Sequence, residues 1–398
     1  MYDYTIVGAG IVGLSVAHAI LKHEPNASVA IIEKERKVAS HQTGNNSGVI
    51  HSGIYYRPGS FKARFAREGN QSMVEFCEEH GIDYDQCGKV IVATNQSQVP
   101  ALKKLYERGQ ENELEVHWME KEEVLEREPH VNAVAAVEVP STGIVDYKQV
   151  SEKLASLSQE KGADLFLNEE VVSINERQGV TIETNNRTIE TRIMINCAGL
   201  HSDRVAEMTG YKLDMQIVPF RGEYYELKDS AKHLVKDLIY PVPNPDFPFL
   251  GVHFTRMIDG GVEAGPNAVL GFKREGYTKT DISFRDLSQV LKSFGFWKLA
   301  SANMKEGLAE MKRSFSKKAF LTSLQEIIPE IQEDDLVPAP AGVRAQAMRS
   351  NGELVDDFYI VAGRHSFHVC NAPSPAATSA LQIGEEVFRQ MSEKELKV

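Results

Sequence analysis

Three glycines near the N-terminus carry the first chemical signal of this chain. Gly8, Gly10 and Gly13 stand in G-x-G-x-x-G spacing within GAGIVG, directly after the apolar run YTIV at 4–7. The first glycine allows a tight turn, the second lets a pyrophosphate approach the backbone, and the third lets helix and strand pack closely. Residues 11–23 have the composition of a helix with one apolar face, so its N-terminal N–H groups and positive dipole end point at that turn. Glu33 closes the next apolar run, VAIIE at 29–33, where a carboxylate accepts ribose hydroxyls. Strand, glycine turn, helix, second strand and terminal acid together bind a dinucleotide. The acid disfavours a 2′-phosphate and so disfavours NADP.

The elements that must position this turn are spread along the chain. A polar loop at 40–53 (SHQTGNNSGVIHSG) precedes a helix near 60–80. Strands at 89–94 and 134–139 flank helices at 97–112 and 120–127. A helix at 147–161 leads to strands near 164–174, 179–184 and 192–200. Residues 216–272 alternate as an antiparallel sheet, broken at PVPNPDFPF and at the turn Asp259-Gly260-Gly261. The chain ends in a helix from about Ser374. A nicotinamide dehydrogenase usually continues with regular α/β units. This chain leaves the dinucleotide fold and returns twice, at INCAGLHSD (195–203) and at the C-terminus. A strand ending at Ala198-Gly199 suits a second close approach to a bulky cofactor, which favours FAD over NAD.

Length and composition bound the rest. At 398 residues, 42% hydrophobic and 25% charged, the chain is of ordinary globular composition with room for two or three domains. A net charge of -12 argues against nucleic acid as a partner. Cys77, Cys87, Cys197 and Cys370 form no C-x-x-C pair and read as reduced thiols of a cytoplasmic protein. No signal-peptide pattern and no apolar run of 18 residues is present, so no membrane span is expected. One segment departs from the acidic whole: residues 273–318 hold 11 Lys or Arg against 5 Asp or Glu. Within it, FGFWKLASANMKEGLAEMKRSFSKKAF reads as a basic amphipathic helix. Such a helix lies on an anionic membrane surface, or packs on a neighbouring domain with its basic face in solvent.

Several strings now carry a resemblance. GAGIVG, HQTGNNSGVIHSG (41–53) and INCAGL (195–200) resemble the FAD-dependent oxidoreductases of the D-amino-acid-oxidase (glycine oxidase) superfamily. HQTGNNSGVIHSGIYY, TGIVDY, VPFRGEYY, IYPVPNPDFPFLGVHFTRMIDG, GPNAVLGFKREGY, PAGVRAQA and HVCNAPSPAATSA narrow it to the L-2-hydroxyglutarate dehydrogenase/oxidase family, over nearly the whole length. Asn45 departs from the histidine of that family's HQTGHNSG, which removes support for catalysis at this position. The resemblance implies an α/β fold: a Rossmann-type FAD-binding domain (1–88, 147–215, 337–398) with an inserted α+β substrate domain (89–146, 216–336) on an antiparallel or mixed sheet. It implies noncovalent FAD lined by Thr43, Gly44, Asn46, Ser47 and Gly48, with Val171 at the adenine. Gly199 makes the second close approach, and Asn371, Ala372, Ser374 and Ala376 close over the flavin pyrimidine edge.

The activity so implied is oxidation of L-2-hydroxyglutarate to 2-oxoglutarate, electrons passing to a quinone or oxygen. The alternatives keep the flavin and change the substrate to another 2-hydroxy acid, an amino acid or glycerol 3-phosphate. Such chemistry needs a base for the hydroxyl proton and cations for the carboxylates. His51, His253 and His368 lie in motif regions and are the candidate bases, although a histidine there also serves to satisfy a backbone carbonyl. Arg344, in GVRAQA, sits where the superfamily places its carboxylate-binding arginine. Arg221 is the candidate for the flavin edge or the second carboxylate, ahead of Arg256, Lys273 and Arg274, and Tyr240 for a substrate hydrogen bond. Histidines and acids show no metal-ligand spacing. A small dicarboxylate, an electron acceptor and a possible peripheral contact with the inner face of the cell membrane complete the expected partners.

Overall fold

The computed structural model describes residues 1–243 and 251–395, so most of the PVPNPDFPF break lies outside the described residues. Two sheets dominate it. The first is built on parallel strands in the spatial order Asp164–Phe166, Val29–Ile32, Tyr2–Val7, Thr188–Asn196, with Ser366–Asn371 joining the far end of the last. Strands Val171–Glu176 and Val180–Thr184 add an antiparallel flap. The four residues Val29–Ile32 are all buried, as a parallel strand covered on both faces requires. Helices Ile11–His23, Tyr147–Glu160 and Ala380–Glu395 bring Leu14, Ile20, Val150, Leu154, Ile383 and Val387 into one apolar core with Ile6 and Ile31.

The second sheet has nine strands and is antiparallel except where Leu238–Pro241 runs parallel to Lys89–Ala93. Its longest pair is Met215–Leu227 against the edge strand Leu336–Arg349. The segment 337–398 therefore divides. Its first strand belongs to this second sheet, and the chain rejoins the first only at Tyr359–Ala362. A small third sheet (Val49–Ile50, Gly143–Val145, Tyr84–Asp85) stands between the two.

Caps decide where helices start. Ser60 accepts from the Ala63 amide at 3.2 Å, and Asp357 accepts from the Phe61 and Lys62 amides, both at 3.0 Å. The second cap ties the helix Phe61–His80 to the C-terminal return of the chain. Two sequence expectations change. The final helix begins at Ala380, not Ser374, because Pro373 and Pro375 turn the chain first, with Ala376 bonding back to Pro373 and Ser379 to Pro375. The basic amphipathic stretch is not one helix. Caps by Ser283, Ser293 and Ser316 cut the region into Phe284–Leu291, Phe294–Ala302, Met304–Phe315 and Lys317–Gln325. All four cysteines are unbonded thiols. Among the described residues no helix is long and apolar enough to cross a membrane.

Candidate active site

A cavity of about 990 Å3 runs from the carboxyl ends of the parallel strands to the face of the second sheet. At its first end the glycine turn is dictated by sterics. Gly8 has φ +108°, and a Cβ there would lie 2.5 Å from the Cys197 carbonyl oxygen; a Cβ at Gly13 would lie 1.9 Å from that of Gly8. Gly8 and Gly10 face the cavity, while Gly13 works by packing behind it. Thr43 Oγ1 accepts from the Ile11 amide at 3.1 Å, which pins the polar loop over the helix N-terminus. The Glu33 carboxylate accepts from the Ala9 amide at 2.9 Å and the Glu35 amide at 3.0 Å while remaining on the wall.

The polar loop is folded by its own amides. Asn46 Nδ2 donates to the carbonyls of Gln42 and Thr43 at 3.1 and 2.6 Å, and its Oδ1 accepts from the Gly48 amide at 2.8 Å. Thr43, Asn46 and Ser47 line the cavity; Gly44 and Gly48 stand behind, against the carbonyls of Ala39 and Val145. Asn45, the departure noted in the sequence, donates to Ser40 and His41 carbonyls, a loop-shaping part. Val171, Gly199, Asn371, Ala372, Ser374 and Ala376 are all on the wall. Asn371 is fixed by donating to the carbonyls of Val355 and Asp357, each at 2.9 Å.

The other end is a ring of aromatic and basic side chains: His51, Tyr55, Tyr56, Tyr224, Tyr240, His253 and Arg344. His51 is held from both sides. Its amide donates to Thr378 Oγ1 at 3.0 Å, and its carbonyl accepts from Asn70 Nδ2 at 3.3 Å. His253 is buried, its ring 3.9 Å from that of Tyr240 between centroids. Its Nδ1 lies 2.9 Å from the Gly251 carbonyl. A carbonyl only accepts, so Nδ1 carries the proton and Nε2 keeps its lone pair. Burial pushes both imidazoles down to about 3; the Gly251 hydrogen bond opposes this in His253, while Lys89 and Arg344 add to it for each ring and His253 adds to it for His51. Both rings are therefore neutral across the physiological range.

Other candidates fall elsewhere. His368 is buried in the first sheet, off the cavity wall, with Nδ1 3.2 Å from Asn196 Nδ2 and Nε2 3.0 Å from Ser366 Oγ. Arg221 is also off the wall, paired with Glu223 at 3.0 Å and donating to the Thr278 carbonyl at 2.9 Å. Arg256 pairs with Asp85 and Arg274 with Asp203, while Lys273 is exposed and away from the cavity. Buried guanidiniums need carboxylates close by, and Arg221 and Arg274 have them within the fold, as half-buried Arg256 does. Tyr55, Tyr56 and Tyr224 were not singled out from the sequence, although they lie in the strings HSGIYY and RGEYY. Lys89, off the wall but against the rings of Tyr55 and Tyr240, was not singled out either; its signal is a lysine opening the otherwise apolar strand KVIVA.

At the rim, Glu35, His41 and Glu275 approach closely enough to resemble a metal-ligand set. Lys34 Nζ sits among them, 2.5 Å from Glu35, 2.9 Å from Glu275 and 3.0 Å from His41 Nε2. An ammonium already takes the place a cation would fill.

The family model for FAD dependent oxidoreductases matches residues 3–390. The chain belongs to that family. An L-2-hydroxyglutarate dehydrogenase from Indibacter alkaliphilus is 53% identical over 97% of this chain and 98% of its own length. One from Escherichia coli strain K12 is 46% identical over 98% of this chain and 93% of its own. Among solved structures, an FAD-bound L-alpha-glycerophosphate oxidase from Mycoplasma pneumoniae superposes with a TM-score of 0.80, covering 98% of this chain and 94% of its own, at 22% identity. That likeness fixes the fold. FAD is the cofactor of this oxidoreductase, and the local geometry fits it: a glycine turn with no room for side chains, a helix N-terminus, and a cavity long enough to reach a second chemical end.

Proposed function

We propose that this chain oxidises L-2-hydroxyglutarate to 2-oxoglutarate on noncovalently held FAD. The observation that carries the reading is the shared cavity, with a nucleotide-type wall at one end and Arg344, His51 and His253 at the other. Relatives named for that substrate, at 46–53% identity over nearly the whole chain, support it. The Gly8–Gly10 turn, Glu33, the Thr43–Ser47 loop, Val171, Gly199 and the 371–376 segment hold the cofactor. When bound, FAD supplies a two-electron acceptor for the hydrogen on Cα. Arg344 grips the carboxylate next to the reacting carbon, since a guanidinium fork matches a carboxylate in two parallel hydrogen bonds. His253 takes the hydroxyl proton on Nε2, because its Nδ1–H is already committed to Gly251. Tyr240, packed against that ring at a 30° tilt, fixes its plane. His51 faces the same space and orients the hydroxyl.

The test is an anaerobic absorbance spectrum of the purified yellow protein. Bleaching of the flavin band by L-2-hydroxyglutarate, and not by the D isomer, glycerol 3-phosphate or amino acids, is the expected result. A band that stays oxidised with the L isomer sinks the substrate. Acid precipitation that leaves the yellow colour with the protein sinks noncovalent binding.

The electron acceptor in this reading is a membrane quinone, reached by peripheral docking. Phe284, Phe294, Trp297, Met304, Leu308 and Phe315 are exposed to between 56 and 86% on the short helices. Exposed Arg285, Lys292, Lys298, Lys305 and Lys312 lie on or beside the same short helices, and Arg285 also lines the cavity. Exposed apolar side chains and lysines together on short helices of an otherwise acidic protein fit an anionic bilayer. Co-flotation with anionic but not neutral vesicles, lost in Phe294→Ser/Trp297→Ser, is expected. Equal recovery of that variant with anionic vesicles, or reaction with oxygen as fast as with a quinone analogue, would remove this part.

A further inference from the structure

The strand Lys89–Ala93 is buried throughout, and four of its five residues are apolar. Lys89 opens it at 1% exposure, between Leu238 on one neighbouring strand and Val139 on the other. Among the described residues four lysines or arginines are buried: Lys62, Lys89, Arg221 and Arg274. Three have carboxylate partners, namely Asp356 at 3.1 Å for Lys62, Glu223 for Arg221 and Asp203 for Arg274. Lys89 instead has two ring faces. Its Nζ lies 4.7 Å from the centroid of Tyr55 and 5.0 Å from that of Tyr240. Aromatic faces recover only part of the hydration an ammonium gives up. Burial accordingly pulls this lysine down to about 7.

Both rings line the cavity, and the Tyr55 hydroxyl is buried without a hydrogen-bond partner. Tyr55 thus brings a buried donor without an acceptor to the wall, and directly behind it and Tyr240, off the wall itself, stands a buried cation held only by ring faces. A dicarboxylate brings two negative charges, and Arg344 answers one. The cations that line the wall besides Arg344 are poor answers to the second: Arg57, Arg108 and Arg285 are exposed and screened, and Lys34, Lys62 and Arg204 are engaged by Glu35 and Glu275, by Asp356 and by Asp286. We propose that Lys89, held beneath Tyr55 and Tyr240, is the specificity-determining countercharge for the substrate's second carboxylate, with the Tyr55 hydroxyl as its hydrogen-bond donor. This rests on the substrate reading above. Arg221, the sequence's candidate for the task, leaves it vacant by pairing with Glu223.

The charged and titratable groups facing Lys89 are His51, His253, Tyr55 and Tyr240, with Arg344 acting on the two histidines. The imidazoles are neutral above about 3, and burial raises both phenols, so between pH 7 and 9 Lys89 is the group that changes charge. The experiment compares anaerobic flavin reduction by L-2-hydroxyglutarate and by the monocarboxylate L-2-hydroxybutyrate in the wild type, Lys89→Met and Lys89→Arg. Lys89→Met should lower kcat/KM for the dicarboxylate roughly 100-fold and leave the monocarboxylate within about threefold, with Lys89→Arg recovering part. An unchanged preference, or equal losses on both substrates, overturns the assignment. Should Lys89→Met not retain FAD, wild-type binding of glutarate and butyrate decides. Glutarate affinity should fall as pH rises from 7 to 9 while butyrate affinity stays flat, and parallel profiles overturn it. A wild type that L-2-hydroxyglutarate does not reduce defeats the substrate reading, whereas the glutarate–butyrate comparison still judges Lys89.

Discussion

The two ends of the cavity are built on opposite physical terms. At the nucleotide end the groups that matter are backbone amides, and side chains are excluded by contacts such as the 1.9 Å that a Gly13 Cβ would make. At the substrate end the groups are buried charges and rings gathered from strands far apart in sequence: His51, Lys89, Tyr240, His253 and Arg344. The first end is a packing solution, intolerant of any added atom. The second is an electrostatic one, tolerant of shape and intolerant of lost charge. Substitutions that discriminate the two should fail in different ways.

The largest effect belongs to the nucleotide end. Gly13→Ala forces its methyl into the Gly8 carbonyl, and neither backbone segment can retreat without opening the helix from the strand. Loss of FAD and of more than about 3 kcal/mol of stability is expected, read from the flavin-to-protein absorbance ratio and thermal unfolding. A yellow Gly13→Ala protein with wild-type unfolding would break the contrast. Next comes Arg344→Met, which should keep its FAD and lose roughly 1000-fold in kcat/KM, about 4 kcal/mol. Arg344→Lys should regain only a small part, because an ammonium lacks the planar fork. A full rescue by lysine would make Arg344 a point charge, not an orienting clamp.

That contrast also explains what the sequence made legible. A packing solution writes itself into local spacing, so Gly8, Gly10, Gly13 and Glu33 stand out from residue types alone, whereas the part given to the 41–48 loop rests on the family resemblance. The alternation of apolar runs likewise gave the parallel strands and the return at 192–200. An electrostatic solution depends on which cations find partners inside the fold, and a linear string does not show that. Arg221 stood next to Arg344 as a candidate, ahead of Arg256 and Arg274, and only the fold sets Glu223, Asp85 and Asp203 beside these three. Lys89 looked like an ordinary strand residue. His368, adjacent to the 371–376 segment in sequence, points into the first sheet because alternate residues of a strand face opposite ways.

The three histidines sharpen the comparison further. His253→Asn should lower kcat about 100-fold with FAD retained, and His51→Asn about tenfold. His368→Asn should instead lower the unfolding temperature and leave kcat alone, since it removes bonds to Asn196 and Ser366 and touches no cavity space. Because burial holds both cavity imidazoles near 3, the free enzyme should show no acidic limb from them in kcat/KM between pH 5 and 8. An inflection near 6.5 that disappears in His253→Asn would show that this imidazole titrates in the free enzyme as it does in water.

The smallest effect is expected where the two ends are tied together. Glu275, on the segment after the second sheet's Val269–Leu270 strand, reaches Lys34 at 2.9 Å and His201 at 3.1 Å. Burial opposes its ionisation, yet hydrogen bonds from His201 and Lys34, with the nearby His41 and His201 charges, hold it down to about 2. A carboxyl depressed below its unfolded value of 4.5 contributes stability that is present above about 4.5 and fades as pH falls toward 2. Glu275→Gln keeps the shape and removes the charge. It should cost about 1 kcal/mol at pH 7, or about 2 °C in unfolding temperature, with the difference from wild type shrinking between pH 5 and 2 and kcat unchanged. If kcat falls while stability does not, the clasp acts on the chemistry, and the division between a packed nucleotide end and a charged substrate end no longer holds at their junction.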